Sequence, residues 1–324
     1  MYDSDDIWKL REDAVMENVI NIAQVIAPIF IAIFLGVLAR KKALLTPEEN
    51  RGLQQFVIRF GLPCVLFNSC LTAKIGAESV STMALVLPLM LLGTLLSFRW
   101  RKKWFPYHNL PMLFAAQETG MLGIPLLVIL FGTDQAYRMG VLDLTQAVTA
   151  YPIIALLSAD PGDNPTPGTI VKKIFSSPLL LMSLLGLALN VTGVGAWLDG
   201  VGIGGVITAC TGFLAQPVSA AIIFSVGYNF SLDKGSRGAV FRLSAFHFGV
   251  FAVFCLLIQG ALFLVPGVDA LTRWTILLYC ALPASYLAPG LGRSGEDYTV
   301  ASGVCSVLTA LCLVIFCCIA AITA

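Results

Sequence analysis

Residues 110–131 read LPMLFAAQETGMLGIPLLVILF, an apolar window of membrane-crossing length with Gln117, Glu118, Thr119 and Gly120 at its centre and Gly123 and Pro125 just beyond. An uninterrupted apolar helix of about 20 residues crosses the ~30 Å of bilayer hydrocarbon. This window instead puts a carboxyl group where it is costly unless paired, protonated or solvated, beside residues that break helices. It therefore reads as a discontinuous membrane helix whose broken middle offers backbone N–H and C=O groups to a ligand or ion. A second interrupted window, LPASYLAPG at Leu282–Gly290, carries Pro283, Ser285 and Pro289.

Working outward from these two windows, apolar stretches recur along the whole chain. Candidate spans lie at 19–39, 54–72, 80–98, 110–131 and 139–158, then at 176–195, 203–230, 243–265, 271–290 and 299–322. The 324 residues are 57% hydrophobic and only 12% charged, with mean hydropathy +0.85, which excludes a water-soluble domain. The expected fold is an all-α membrane protein of ten spans. Its divisions are an extracytoplasmic segment 1–18, a first five-helix repeat 19–158, a cytoplasmic linker 159–175 and a second repeat 176–324.

An odd number of spans per half requires related halves to be inserted upside down to each other. The sequence carries traces of that relation. The first span has Pro28 and Gly36, the sixth has Pro178 and Gly186 at the same spacing, and Pro63 and Pro217 follow in the next spans. The interrupted windows are the fourth and the ninth. Basic residues sort by loop: Arg40, Lys41, Lys42, Arg99, Arg101, Lys102, Lys103, Lys172, Lys173, Lys234, Arg237, Arg242 and Arg293 fall in alternate loops, against Lys74, Arg138 and Arg273 in the others. The positive-inside rule then places both termini outside, in a cell membrane.

Polar residues inside the spans are the site candidates. Glu118 either carries a coupled cation or caps the broken helix with its own carboxylate. Asp143 and Gln146 share a face of span 5, with Tyr151 partly round it; Asp143 is either an ion-coupling or an interface residue. Arg59 is expected to snorkel to the cytoplasmic side. Gln216, Pro217, Ser219, Ser225 and Asn229 in span 7 either line a cavity or bond between helices. Gly123, Pro125, Pro283 and Pro289 are the expected hinge positions of the two interruptions.

The nine cysteines lie in or beside apolar runs without ligand-spaced partners, and His108 and His247 belong to no metal motif, so neither metal nor cofactor is expected. The acidic, mixed N-terminal segment lacks a basic n-region and apolar h-region, so no cleaved signal peptide is expected. A formal charge of +1 with dispersed basic residues excludes nucleic acid as a partner.

Several of these pieces resemble the auxin efflux carrier family, which includes plant auxin carriers and bacterial permeases for small dicarboxylates. The resemblance rests on Asn50-Arg51, Phe56-Val57, Gly61-Leu62-Pro63 and Phe67, and on Glu118-Thr119 through Gly123-Ile124-Pro125-Leu126-Leu127 to Phe131-Gly132. Gln146 with Tyr151 looks like the family's fifth helix, Phe224-Ser225-Val226-Gly227 like its seventh, and Ala281-Leu282-Pro283 through Pro289 like its ninth. It implies a scaffold of helices 1, 2, 6 and 7 and a transporting bundle whose broken helices 4 and 9 cross beside the substrate. Glu118 stands where the plant carriers have Asn, the Pro283–Pro289 spacing is one residue longer, and the linker is short, so a bacterial-type permease is the closer likeness.

The expected function is a secondary carrier of small organic anions, mono- or dicarboxylates, working by alternating access and open to proton or sodium coupling. Substrate contacts are expected from Gln117, Glu118, Thr119, Gly120, Gln146, Tyr151, Ser225, Pro283 and Ser285, and ion coupling from Glu118 and Asp143. The alternatives are a carrier of a cationic or zwitterionic metabolite and, in another class, a membrane sensor or an intramembrane enzyme. No nucleophile–base or metal motif supports an enzyme. The partners are the bilayer and a small molecule, with a homodimer left open.

Overall fold

In this computed structural model the described residues are 27–73, 76–157, 168, 178–230, 235–265 and 267–323. The expected N-terminal segment, and all of the linker except residue 168, lie outside them. The described chain is 84% helix with no strands. Its first half runs α1 (27–41), α2 (Pro47–Phe56), α3 (Leu62–Leu71), α4 (Ala77–Lys103), α5 (Leu110–Ala115), α6 (Ile124–Phe131) and α7 (Ala136–Leu157). The second half runs α8 (Pro178–Val191), α9 (Val194–Gly200), α10 (Ile203–Ala215), α11 (Val218–Asn229), α12 (Arg237–Leu262), α13 (Ala270–Ala281) and α14 (Gly295–Thr323).

Four of these elements are long and apolar enough to cross a membrane unaided: α4, α10 with α11, α12 and α14. The bent pair α8–α9, turned through 76° after the Thr192-Gly193 break, makes a fifth if taken as one span. The remaining apolar windows are divided, for reasons legible in their sequences. Pro63 and Pro125 have no N–H to give to the carbonyl four residues back. Each is preceded by a π-helical turn, Val57–Gly61 and Thr119–Gly123, closed by an i→i−5 bond: Leu62 N–H to Val57 O and Ile124 N–H to Thr119 O. Both turns end in Gly-x-Pro, so one local signal produces the same widened turn twice. Elsewhere Thr46 and Glu49 form a capping box before Pro47 at the start of α2, and the Asp269 carboxylate caps α13 through Thr272 N–H at 2.7 Å.

Packing sorts the helices into two groups. One contains α3, α8, α10 and α11, with α2 on α11 and α9 against α8 and α10; the other contains α4–α7 with α12–α14. The groups meet where α3 lies on α7 and where α11 lies on α6 and the 119–123 turn.

Close approaches within the first group come in a swapped pair. Gly36 of α1 lies against the backbone of α11 at Phe224 and Tyr228, and Gly186 of α8 lies against the backbone of α3 at Phe67 and Leu71. Four residues beyond each glycine a side chain ties down the end of that same partner helix. Arg40 donates to Tyr228 O and Phe230 O at 3.3 and 3.0 Å, and Asn190 donates to Cys70 O and Ala73 O at 2.9 and 2.7 Å.

The second interruption amends the expectation of two matched broken helices. After α13 the chain turns at 282–288 and makes only a 3-10 turn, Pro289–Leu291, before α14. Pro289, Gly290, Gly292 and Gly295 in this stretch favour turns over a second half-helix.

A candidate substrate site at the crossing of two interrupted segments

At the broken centre of 110–131 the chain leaves α5 in extended conformation, with Ala116 at φ −153° and ψ 143°. There it pairs antiparallel with the second interruption, Gln117 opposite Ala284. Glu118 N–H donates to Pro283 O at 2.8 Å and Ser285 N–H to Ala116 O at 3.0 Å. Two breaks in separate halves of the sequence thus satisfy each other's backbone inside the bundle, as burial away from water requires. A Cβ on Gly123 would come within 2.7 Å of the Leu282 side chain, so this glycine permits the approach of the two segments.

The last carbonyls of α5 and the residues after it have lost their helical partners. Each finds a donor from outside α5, two of them from α7. Leu113 O meets His247 Nε2 at 2.9 Å, which makes that nitrogen the protonated one. Phe114 O accepts from Thr94 at 3.4 Å and Ala115 O from Thr149 at 2.6 Å. Ala116 O takes the Ser285 amide, and Gln117 O accepts from Gln146 Nε2 at 2.9 Å. The Gln117 amide, with its nitrogen turned to them, donates to Leu282 O and Pro283 O at 2.9 and 3.0 Å.

Gln146 is the hub. Its Oε1 accepts from Gln117 N–H at 2.9 Å and from Tyr279 OH at 3.2 Å; its Nε2 reaches Thr119 Oγ1 at 2.8 Å and Asp143 Oδ1 at 3.2 Å. Thr119 Oγ1 in turn donates to Asp143 Oδ1. A single amide thereby ties α7 to the interruption and to α13.

The Glu118 carboxylate is held by backbone donors from both segments. Oε1 accepts from Met121 N–H at 3.3 Å, at the start of the Thr119–Phe131 helix, and Oε2 accepts from Tyr286 N–H at 2.6 Å. Ser285 stands at the related position of the second segment, where its hydroxyl accepts from Leu287 N–H at 3.3 Å. Glu118 is 8% exposed, whereas Asp143 is only half-buried. No Lys or Arg among the described residues pairs with either; both ion pairs found there belong to Arg138.

The structure brings together Gln117, Glu118, Thr119, Asp143, Gln146, Pro283 and Ser285 from the expected set, with Gly120 inside the π-turn and Pro125 in the first turn of α6. Tyr151 lies half-buried farther along α7. Pro289 opens the 3-10 turn after the crossing. Ser225 is fully buried and its hydroxyl has no hydrogen-bond partner. Arg59 is exposed on the 57–61 turn.

Sequence reading missed Thr149, Tyr279, Tyr286 and His247, each a single polar residue in an apolar helix or turn. The spacing of Thr149, three residues after Gln146, was the available signal. It also missed two clusters at helix ends. Arg138 binds Asp269 at 2.6 Å, Glu78 at 3.3 Å and Thr272, joining the starts of α7, α4 and α13. Asp297 accepts from the amides of His108, Arg293 and Ser294 at 2.9–3.0 Å, while Asn109 donates to Ala288 O and Asp297 O.

The nine cysteines are free, and no group of three or more His, Cys, Asp or Glu side chains placed to hold a metal occurs among the described residues. The family model described as membrane transport protein matches residues 21–322, nearly the whole chain. No curated protein matches it.

Proposed function

The chain belongs to the auxin efflux carrier family of membrane transport proteins, and from that premise we propose that it is a secondary carrier of small organic anions, mono- or dicarboxylates, working by alternating access across the cell membrane. The observation that carries this reading is the crossing at Gln117 and Ala284. There two interrupted segments, a cluster of amide, hydroxyl and carboxyl side chains and the start of the Thr119–Phe131 helix converge in the interior. Backbone donors at the start of a half-helix suit an anionic group, and Gln146, Thr119 and Gln117 supply orienting polar contacts.

The proposed topology is ten spans in two inverted five-helix repeats, with both termini outside. It draws support from the swapped contacts: Gly36 with Arg40 on α11, and Gly186 with Asn190 on α3, are related as the first and sixth spans of such a pair would be. The two packing groups supply a frame and a moving bundle, with the crossing inside the bundle and α11 beside it. Coupling to a proton or sodium ion is assigned to Glu118 and Asp143, because binding a cation is how an unpaired carboxyl inside a membrane becomes neutral.

A second reading, a cationic or zwitterionic cargo, is favoured by one specific observation. Both carboxyls at the crossing lack a basic partner among the described residues. Uptake by proteoliposomes separates the readings. Saturable accumulation of labelled mono- or dicarboxylates, dependent on an inward proton or sodium gradient, is expected; accumulation of amines alone, or of neither class, overturns the anion carrier.

A further inference from the structure

At the crossing the backbone groups freed by the two breaks are satisfied by the protein itself. Its acceptors are taken by His247 of α12, Thr94 of α4, Thr149 and Gln146 of α7 and the Ser285 amide of the second segment. The donors Met121 N–H and Tyr286 N–H, one from each interrupted segment, are taken by a single side chain, one carboxylate oxygen apiece. A free carboxylate bridging the two segments would bind these same two N–H groups in the same way. Beside them, α11 packs on the 119–123 turn and carries the buried, unpartnered Ser225 hydroxyl. That hydroxyl lies on one helical stripe with Val218, Ile222 and Asn229, and Asn229 is bonded to Asn50 of α2.

We propose that Glu118 is a tethered stand-in for the cargo: its carboxylate fills the cargo's own anion seat and holds the two segments together whenever cargo does not. A cargo carboxylate takes the two N–H groups only when Glu118 swings out, and α11, which packs on the 119–123 turn, carries a spare polar group in the Ser225 hydroxyl. The seat is thereby never left with two unsatisfied N–H groups inside the membrane, which would be costly. This inference rests on the anion-carrier reading and names how its site is kept closed.

The test is chemical rescue of the full chain purified in detergent. Glu118→Ala removes a fragment the size of acetate. At fixed pH and ionic strength, acetate is expected to raise the apparent melting temperature of Glu118→Ala saturably, on the order of 5 °C at a hundredfold excess over Kd. Neutral acetamide should leave it unchanged, and wild type should respond to neither at that concentration. Equal shifts from acetate and acetamide, or an equal acetate shift in wild type, overturn the proposal.

Should Glu118→Ala not fold, Glu118→Gln keeps the shape and drops the charge. It is expected to bind acetate or succinate at least about tenfold more tightly than wild type by titration calorimetry, a difference of ~1.4 kcal/mol; equal or weaker binding overturns the proposal. Acetate rescue combined with no carboxylate uptake by wild-type proteoliposomes sinks the cargo reading and leaves the seat standing. Carboxylate uptake with no response in either variant sinks the seat alone.

Discussion

The two interruptions share one backbone device and almost nothing else. The first, residues 116–123, is dense in side-chain chemistry: Gln117, Glu118 and Thr119 meet Asp143 and Gln146 from α7, and a π-turn then leads into α6. The second, residues 282–291, carries no charged side chain and ends in a 3-10 turn. It contributes carbonyls, the amides of Ser285 and Tyr286, and the nearby Tyr279 hydroxyl. Two segments that pair as equals are thus unequal in chemistry, one bringing amide, hydroxyl and carboxyl side chains, the other backbone groups that hold them.

That asymmetry can be broken by substitution, and the largest effect is expected at its hub. Gln146→Leu strips partners from the buried Gln117 N–H and C=O and from Tyr279 OH; at about 1 kcal/mol or more each, the loss is about 3 kcal/mol. A fall in melting temperature of the purified protein checks it, and an unchanged value means that Gln146 does not hold the first segment. Next comes Gly123→Ala, whose new Cβ meets Leu282 at 2.7 Å and Met139 at 3.1 Å and should cost about 1–3 kcal/mol. Gly290→Ala, in the open second turn with nothing within 4 Å, should be close to neutral in the same thermal assay.

The Arg138 cluster, away from the crossing, should respond more weakly and through pH. Burial pushes the Asp269 carboxyl up, but the Thr272 N–H and the Arg138 guanidinium outweigh it and hold it below the usual carboxylate range. A carboxyl depressed on folding adds stability at neutral pH that is lost as pH falls below about 4. Arg138→Met should flatten this acid slope in a thermal-shift series. Its cost at neutral pH should be about 1 kcal/mol, since the Asp269 side chain is 41% exposed and well screened. Ser285→Ala, which removes one weak cap from Leu287, is expected to cost less than Arg138→Met, under about 1 kcal/mol in the same assay, with only Gly290→Ala milder.

Much of this arrangement was legible in the sequence because it follows from local rules. Gly61-Leu62-Pro63 and Gly123-Ile124-Pro125 announce their π-turns through proline's missing N–H, and the polar run Gln117–Gly120 inside an apolar window marks the first crossing segment. The face shared by Asp143 and Gln146 follows from helical spacing. What was hidden depends on contacts distant in sequence. Nothing local says that Gln146 reaches Gln117, that His247 closes the Leu113 carbonyl, or that Glu118 accepts from Tyr286. The second interruption was visible through Pro283 and Pro289, but Gly290, Gly292 and Gly295, which stop it from continuing as a helix, stand out little in a hydropathy window. The sharp turn between α8 and α9 likewise depends on Gly193 at φ 74°, an ordinary residue to a hydropathy window.

The most direct test of the crossing as the cargo site is hydrogen–deuterium exchange of the full chain in lipid nanodiscs, with and without whichever carboxylate the proteoliposomes accumulate. The account predicts that cargo changes exchange in peptides covering 116–123 and 283–291 together, since one ligand bridges both. A change confined to other helices, with these two segments unaltered, would contradict it.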